Sequence, residues 1–224
     1  MTAPSDKNKK SVFLVDDHPL VREWLTNLIN QQPDLSVCGE AESAPHAIQA
    51  ITAKKPDVVI VDISLKDSSG IELIKDLKQS HPEGAVLVLS MHDESHYAER
   101  ALRAGARGYV MKRETTRKVI EAIRRILEGK LYISDKVAEI MTARFVEGKS
   151  TEEASPVDQL SDRELEVFEL LGQGHGTRQI AETLRVSVKT VQAYCARMKE
   201  KMNLNSATEL LREAIRWNET KYPR

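Results

Sequence analysis

The sequence lacks most of what would tie it to a membrane, a thiolate metal centre or an oxidising compartment. Only two cysteines occur in 224 residues, Cys38 and Cys195, and neither belongs to a metal-type pair or cluster. A disulfide framework and a structural zinc site are thereby excluded. No stretch approaches the roughly 18 apolar residues of a membrane span. Met1 to Lys10 carries lysines but no apolar signal core, so a cytoplasmic location without a membrane partner is expected. A bias of charge is also missing, with 33 lysines and arginines against 34 aspartates and glutamates. The chain as a whole therefore predicts no polyanion partner, and any nucleic-acid footprint has to be local.

What the sequence does contain is length and pattern. Its 224 residues exceed one typical domain and suit two, each large enough to bury its own core. Short apolar runs, Val12 to Val15, Leu35 to Gly39, Val58 to Val61, Val86 to Leu89 and Gly108 to Met111, alternate with helical stretches. These helical stretches, Leu20 to Ile29, Ala47 to Ala53, Ile71 to Leu77, Tyr97 to Ala104 and Val119 to Leu127, carry apolar residues at three and four spacing. The third and fourth runs are continuous branched aliphatics, as a strand needs when helices cover both its faces. An α/β domain with a doubly wound five-stranded parallel sheet is predicted over residues 11–129. Residues 130–156 read as a linker that contains a helix, with Ser134 or Asp135 placed to cap it, and a polar stretch from Glu147 to Pro156. Residues 157–224 read as a small all-α domain of four helices, with Ser161/Glu164 and Ser206/Glu209 as capping boxes and Thr177 as a further cap.

The chemistry of the first domain gathers at strand ends. Asp16 and Asp17 follow the first strand and Asp62 the third, at the carboxyl edge where open α/β sheets bind ligands. Three carboxylates there repel one another, and a hard divalent cation relieves the repulsion; Mg²⁺ suits an all-oxygen set. Ser90 ends the fourth strand and Lys112 follows the fifth, which places a hydroxyl and an ammonium beside the same edge. A metal, a lysine and a hydroxyl around an aspartate nucleophile are what in-line phosphoryl transfer requires, because the transition-state charge sits on peripheral oxygens.

The segments Val15-Asp16-Asp17-His18-Pro19, Ile60-Val61-Asp62-Ile63-Ser64, Leu89-Ser90-Met91-His92-Asp93 and Gly108-Tyr109-Val110-Met111-Lys112 resemble the receiver family of two-component response regulators, a flavodoxin-like fold. The resemblance implies that Asp62 accepts a phosphoryl group from the phosphohistidine of a sensor histidine kinase. It further implies that Asp16, Asp17, Asp62 and the Ser64 carbonyl arrange Mg²⁺, and that Lys112 pairs with the phosphoryl group. Ser90 would move toward the new oxygens and Tyr109 would turn inward behind it. On this reading the chain is no enzyme, although the receiver catalyses its own Mg²⁺-dependent phosphorylation and dephosphorylation. Ser64 and His92 fall at positions that influence dephosphorylation in the family. Trp24, where relatives usually have glycine, and Arg113, where many have proline, depart from its pattern.

In the second domain Val188, Val191, Cys195, Met198 and Met202 define an inward apolar face of a helix over Ser187 to Met202. The opposite face shows Lys189, Gln192, Ala193, Ala196 and Glu200, flanked by Arg197, Lys199 and Lys201, a surface suited to a major groove. The Leu184-Arg185-Val186-Ser187 connection is the tight turn of a helix-turn-helix. From Gln173 to Lys201 basic residues outnumber acidic ones. Leu160 to Val167, Gln179-Ile180-Ala181 and Ser187 to Val191 resemble the LuxR-type domain, and its pairing with a receiver resembles the NarL/FixJ class. That resemblance implies double-stranded DNA as partner. Lys189, Gln192, Ala193 and Ala196 would face bases or nearby phosphates, and Thr177, Ser187, Thr190, Arg197 and Lys201 would complete the interface. Tyr194 stands where many members have histidine and Cys195 where many have a basic residue. Leu211 and Ile215 on the last helix would pair two copies, making a homodimer of the phosphorylated or DNA-bound protein.

Two competing readings are weaker. An aspartyl-phosphate phosphatase needs a second acid two residues after its nucleophile, where this chain has Ser64. A constitutive DNA-binding regulator with a phosphorylation-independent receiver does not require the intact acid set.

Overall fold

The computed structural model describes residues 9–66, 68–146 and 156–221. Each predicted apolar run forms a strand: β1 Lys10–Val15, β2 Leu35–Ala41, β3 Val58–Val61, β4 Ala85–Ser90 and β5 Gly108–Met111. They form one sheet in the order β2-β1-β3-β4-β5, with every neighbouring pair parallel. All residues of β3 and β5 are buried, as a sheet covered on both faces demands. Side chains alternate between the faces: Val12, Leu14, Val58, Ile60, Leu87, Leu89 and Val110 pack in one cluster with Leu25 and Ile29, and with Val119, Ile120 and Ile123. Those partners belong to α1 Pro19–Asn30 and α5 Thr116–Leu127. The intervening helices α2 Ala44–Lys54, α3 Gly70–Ser80 and α4 Glu94–Ala104 contact one another in series.

Two features refine the predicted pattern. Ser64–Leu65 and Ser68–Ser69 form a short antiparallel ladder immediately after β3. After α5, Tyr132 lies against the outer edge of β5: its N–H donates to the Arg107 carbonyl at 3.0 Å, and its carbonyl accepts from the Tyr109 N–H at 2.9 Å. This approach passes over Gly108, where a Cβ would come 2.9 Å from Leu87 Cδ1 and 3.1 Å from the Tyr132 carbonyl oxygen. The predicted linker helix is α6 Asp135–Val146, and Ser134 caps it by accepting from the Val137 N–H at 3.2 Å. The polar stretch Glu147 to Pro156, apart from Pro156 itself, lies outside the described residues.

The chain divides into two units, residues 1–144 and 145–224. In the second, a 3₁₀ turn at Pro156–Gln159 precedes α7 Asp162–Gly172, α8 Thr177–Thr183, α9 Val188–Lys201 and α10 Ala207–Lys221. Leu165, Phe168, Ile180, Val191, Met198, Leu210 and Ala214 are buried, and Phe168 meets Trp217 with ring centroids 5.7 Å apart. Ser161 and Glu164 make the predicted capping box. Glu209 instead accepts from Asn205 N–H, one residue before the Ser206 that caps Glu209 N–H. Thr177 is not the cap of α8: it is the first helical residue, and the Gln179 side chain accepts from Gly176 N–H at 2.9 Å. Among the described residues no helix is long and apolar enough to cross a membrane.

Candidate functional site

Parallel pairing brings the ends of β1, β3, β4 and β5 to one edge, and the acids and the lysine meet there. Asp62 N–H donates to the Val15 carbonyl at 2.8 Å, and Lys112 N–H to the Ser90 carbonyl at 2.7 Å. These backbone bonds continue the ladders just past the strand ends and aim the side chains together. Lys112 Nζ lies 2.6 Å from Asp16 Oδ2 and 2.7 Å from Asp62 Oδ2. Asp16 is 3% exposed and Asp62 4%. Burial raises the Asp62 carboxyl to about 6; the Asp16 charge adds to the rise and the Lys112 ammonium opposes it. Burial would lower the Lys112 ammonium, but Asp62 and Asp16 outweigh it and hold its pKa above the ordinary range. Lys112 is therefore a fixed cation.

The sequence reading did not assign a role to His18, which joins this group. Its Nδ1 lies 3.1 Å from Asp16 Oδ1 and 2.9 Å from Asp17 Oδ1, and its N–H donates to Asp16 Oδ1 at 2.9 Å. One ligand atom from each of Asp16, Asp17, His18 and Asp62 falls within 4.8 Å of all the others. This crowd of carboxylate oxygens fits a hard divalent cation. Gly70 is a second residue that sequence reasoning missed. A Cβ there would overlap the Asp62 carbonyl oxygen, so α3 can begin against the Asp62 backbone only with glycine.

Behind the acids, Ser90 is wholly buried and its Oγ accepts from His92 N–H at 3.2 Å. Tyr109 is turned inward, 2% exposed, and its hydroxyl donates to the His92 carbonyl at 3.0 Å. Ser64 N–H reaches Asp62 Oδ1 at 3.4 Å, while Ser64 Oγ and His92 Nε2 lie 2.7 Å apart. The His92 ring stacks on Tyr97, with centroids separated by 4.4 Å. The β4–α4 turn thus touches three of the predicted site residues, Ser64, Ser90 and Tyr109.

On α9 the arrangement is different. Thr177, Ser187, Lys189, Gln192, Ala193, Ala196 and Arg197 are exposed and Thr190 is half-buried. Ser187 Oγ caps α9 through Thr190 N–H at 3.0 Å, and Arg185 in the turn takes the left-handed φ of 53°. The inward face is narrower than predicted. Val191 and Met198 are fully buried, Cys195 and Met202 are half-buried, and Val188 is 37% exposed because it is the first residue of the helix. Lys201 does not join the exposed set as a free cation: its Nζ lies 2.6 Å from Glu164 Oε2. Burial alone would raise the Glu164 carboxyl, but Lys201 and Ser161 hold it below its usual range. On α10, Leu211 and Ile215 are 40% and 38% exposed, four residues apart on one helical face.

Known proteins carry the same combination. Residues 12–124 match the family described as response regulator receiver domain, and residues 158–214 match bacterial regulatory proteins, luxR family. The oxygen regulatory protein NreC of Staphylococcus epidermidis is 35% identical over 210 residues, 92% of this chain and 96% of its own length. The transcriptional regulatory protein DegU of Brevibacillus brevis is 31% identical, over 96% of this chain and 97% of its own. Among solved structures, RcsB from Salmonella enterica serovar Typhimurium, bound to promoter rprA in the presence of phosphomimetic BeF3-, is similar with a TM-score of 0.59. That match has 25% identity and covers 92% of this chain and 98% of the other. With a receiver fold whose acids and lysine converge at the sheet edge and a LuxR-type helix-turn-helix after it, the chain belongs to the NarL/FixJ class of response regulator transcription factors.

Proposed function

We propose that Asp62 is the phosphoacceptor and that its phosphorylation by a sensor histidine kinase controls dimerisation and sequence-specific binding of double-stranded DNA in the cytoplasm. The observation that carries this reading is the buried Asp62 carboxylate held 2.7 Å from the Lys112 ammonium at a strand end crowded with acids. Asp16, Asp17, Asp62 and the Ser64 carbonyl would hold Mg²⁺, which supplies charge neutralisation for the peripheral phosphoryl oxygens. An Asp62 carboxylate oxygen attacks phosphorus as the phosphorus–nitrogen bond of the donor phosphohistidine breaks, and the electron pair leaves with the imidazole nitrogen. Asp62 needs no separate base, since above about pH 6 it is already ionised. Lys112 then exchanges one carboxylate partner for a phosphoryl oxygen, and the Ser90 hydroxyl donates to another. Because the Ser90 hydroxyl already accepts from His92 N–H, drawing Ser90 toward the phosphoryl group pulls on the turn that also holds Tyr109.

At the other end, Lys189, Gln192, Ala193 and Ala196 would enter the major groove. Thr177, Ser187, Thr190 and Arg197 would meet the backbone, and Leu211 with Ile215 would form the dimer contact. Lys201, held by Glu164, is better placed to fix the end of α9 than to reach a phosphate. The test is labelling by a small phosphodonor with Mg²⁺. The wild type should take up one phosphoryl group and Asp62→Ala none; equal labelling of the two would reject Asp62.

A further inference from the structure

The segment after α5 is attached at two points, to β5 and to the start of α4. Tyr132 pairs with the backbone on both sides of Gly108, and one of its partners is the N–H of Tyr109. Two residues later, Ser134 does two things with one hydroxyl. It accepts from Val137 N–H, capping α6, and donates to Glu94 Oε1 at 2.7 Å. Glu94 is the first residue of α4 and is 9% exposed. It follows directly on the turn in which His92 holds Ser90 Oγ and the Tyr109 hydroxyl. A buried carboxylate bound to a hydroxyl that caps another helix makes the start of α6 dependent on the position of α4.

We infer that Ser134 and Glu94 are positioning residues of the phosphorylation response: their hydrogen bond passes displacement of the β4–α4 turn to the N-terminus of α6, the helix that leads out of the receiver. The inference rests on the phosphoacceptor reading of Asp62 and adds a defined route from it. Drawing Ser90 toward a phosphoryl group moves the His92 backbone, hence the Glu94 carboxylate two residues on, hence the cap of α6. The polar contact has two discrete states, made or broken, as a switching element requires. The bond between Ser134 and Glu94 is made by neither the acids of the site nor Lys112, so substitutions at these two residues separate transmission from phosphorylation.

The test uses the full chain and three substitutions. Glu94→Ala removes the acceptor. Ser134→Asp keeps an oxygen to cap α6 but sets a like charge against Glu94. Glu94→Gln keeps an oxygen that accepts from Ser134. Labelling by the small phosphodonor should proceed at the wild-type rate in all three. The ratio of DNA affinity with and without phosphorylation should fall about five- to tenfold in Glu94→Ala and Ser134→Asp, the size one hydrogen bond can carry. Glu94→Gln should retain the wild-type ratio, which a loss of general stability would not explain. A wild-type ratio in Glu94→Ala, or an equal fall in Glu94→Gln, overturns the inference. Hydrogen exchange separates it from the phosphoacceptor reading, because it needs no label. The Val137 amide should exchange faster in Glu94→Ala than in wild type or Glu94→Gln, and equal rates would overturn the contact. A wild type that exchanges as expected but takes no phosphoryl group would instead defeat the role of Asp62.

Discussion

Lys112 and Lys189 carry the same charge in opposite surroundings. Lys112 has a 9% exposed side chain held between two buried carboxylates, whereas Lys189 stands exposed near the start of α9. In the receiver the charges are desolvated and each depends on the others, so their protonation is tuned by burial and small displacements carry large energies. On α9 Lys189 and Arg197 are exposed, and on the proposed reading each would act through a polyanion's counterions and add a modest, salt-dependent increment. Lys201 lies on α9 between the two kinds: it pairs with the buried Glu164 carboxylate at 2.6 Å while its own side chain stays 38% exposed.

The sharpest way to break this contrast is Lys112→Ala, which leaves Asp16 and Asp62 facing each other without a cation. Loss of one partner from a buried ionic group should cost about 3–5 kcal/mol at pH 7.5, read from urea unfolding without metal. A loss below about 1 kcal/mol would place Lys112 with the surface cations. The next effect runs in the other direction. Asp62 has a folded pKa raised from 3.8 to about 6, so the folded state binds its proton more tightly than the unfolded chain. Stability contributed by this group is present below about pH 4 and is lost as pH rises through about 6. Asp62→Asn removes that dependence and, without metal, should be more stable than wild type by roughly 2–3 kcal/mol at pH 7.5. At pH 4 the two should unfold at the same urea concentration, and a gap that persists there would refute the burial argument.

On α9 the expected effects are smaller. Gln192→Ala should cost about 1–2 kcal/mol at one base pair and leave binding to other sequences unchanged. Selection of bound sequences should show one relaxed position; an unchanged preference would remove Gln192 from base reading. Lys189→Ala should weaken all sequences alike, by about fivefold near physiological salt, and reduce the slope of log affinity against log salt by about 1. An unaltered slope would mean that Lys189 meets no phosphate.

The inner strands were legible because a strand buried on both faces must be a short apolar run, whereas β2 is mostly half-buried and its run is less apolar. Val58 to Val61 and Gly108 to Met111 therefore match the structure residue for residue. The acids and Lys112 were legible for a related reason: residues just after parallel strands share one edge. His18 was not, since a histidine beside two aspartates shows no contact until the chain bends into α1. Gly70 escaped notice because the clash it avoids is with Asp62, eight positions away and brought close by the Ser64–Ser69 ladder. Thr177 was misread as a cap because threonine is a good cap by type, whereas Gln179 satisfies the Gly176 N–H from within the first turn. Val188 fits the apolar stripe by spacing, but as the first residue of α9 it is 37% exposed.

Periodicity and strand-end chemistry alone thus determined the five-stranded α/β domain, the helical domain after it and the gathering of Asp16, Asp17, Asp62 and Lys112 at one sheet edge. Both signals are local, so they survive without knowledge of any long-range contact. Tertiary structure decided which charges are buried and paired. Lys112 is raised and Glu164 lowered in pKa by partners distant in the chain, and Ser134 meets Glu94 forty positions away. Such contacts depend on how strands and helices pack, and no spacing in the sequence encodes them.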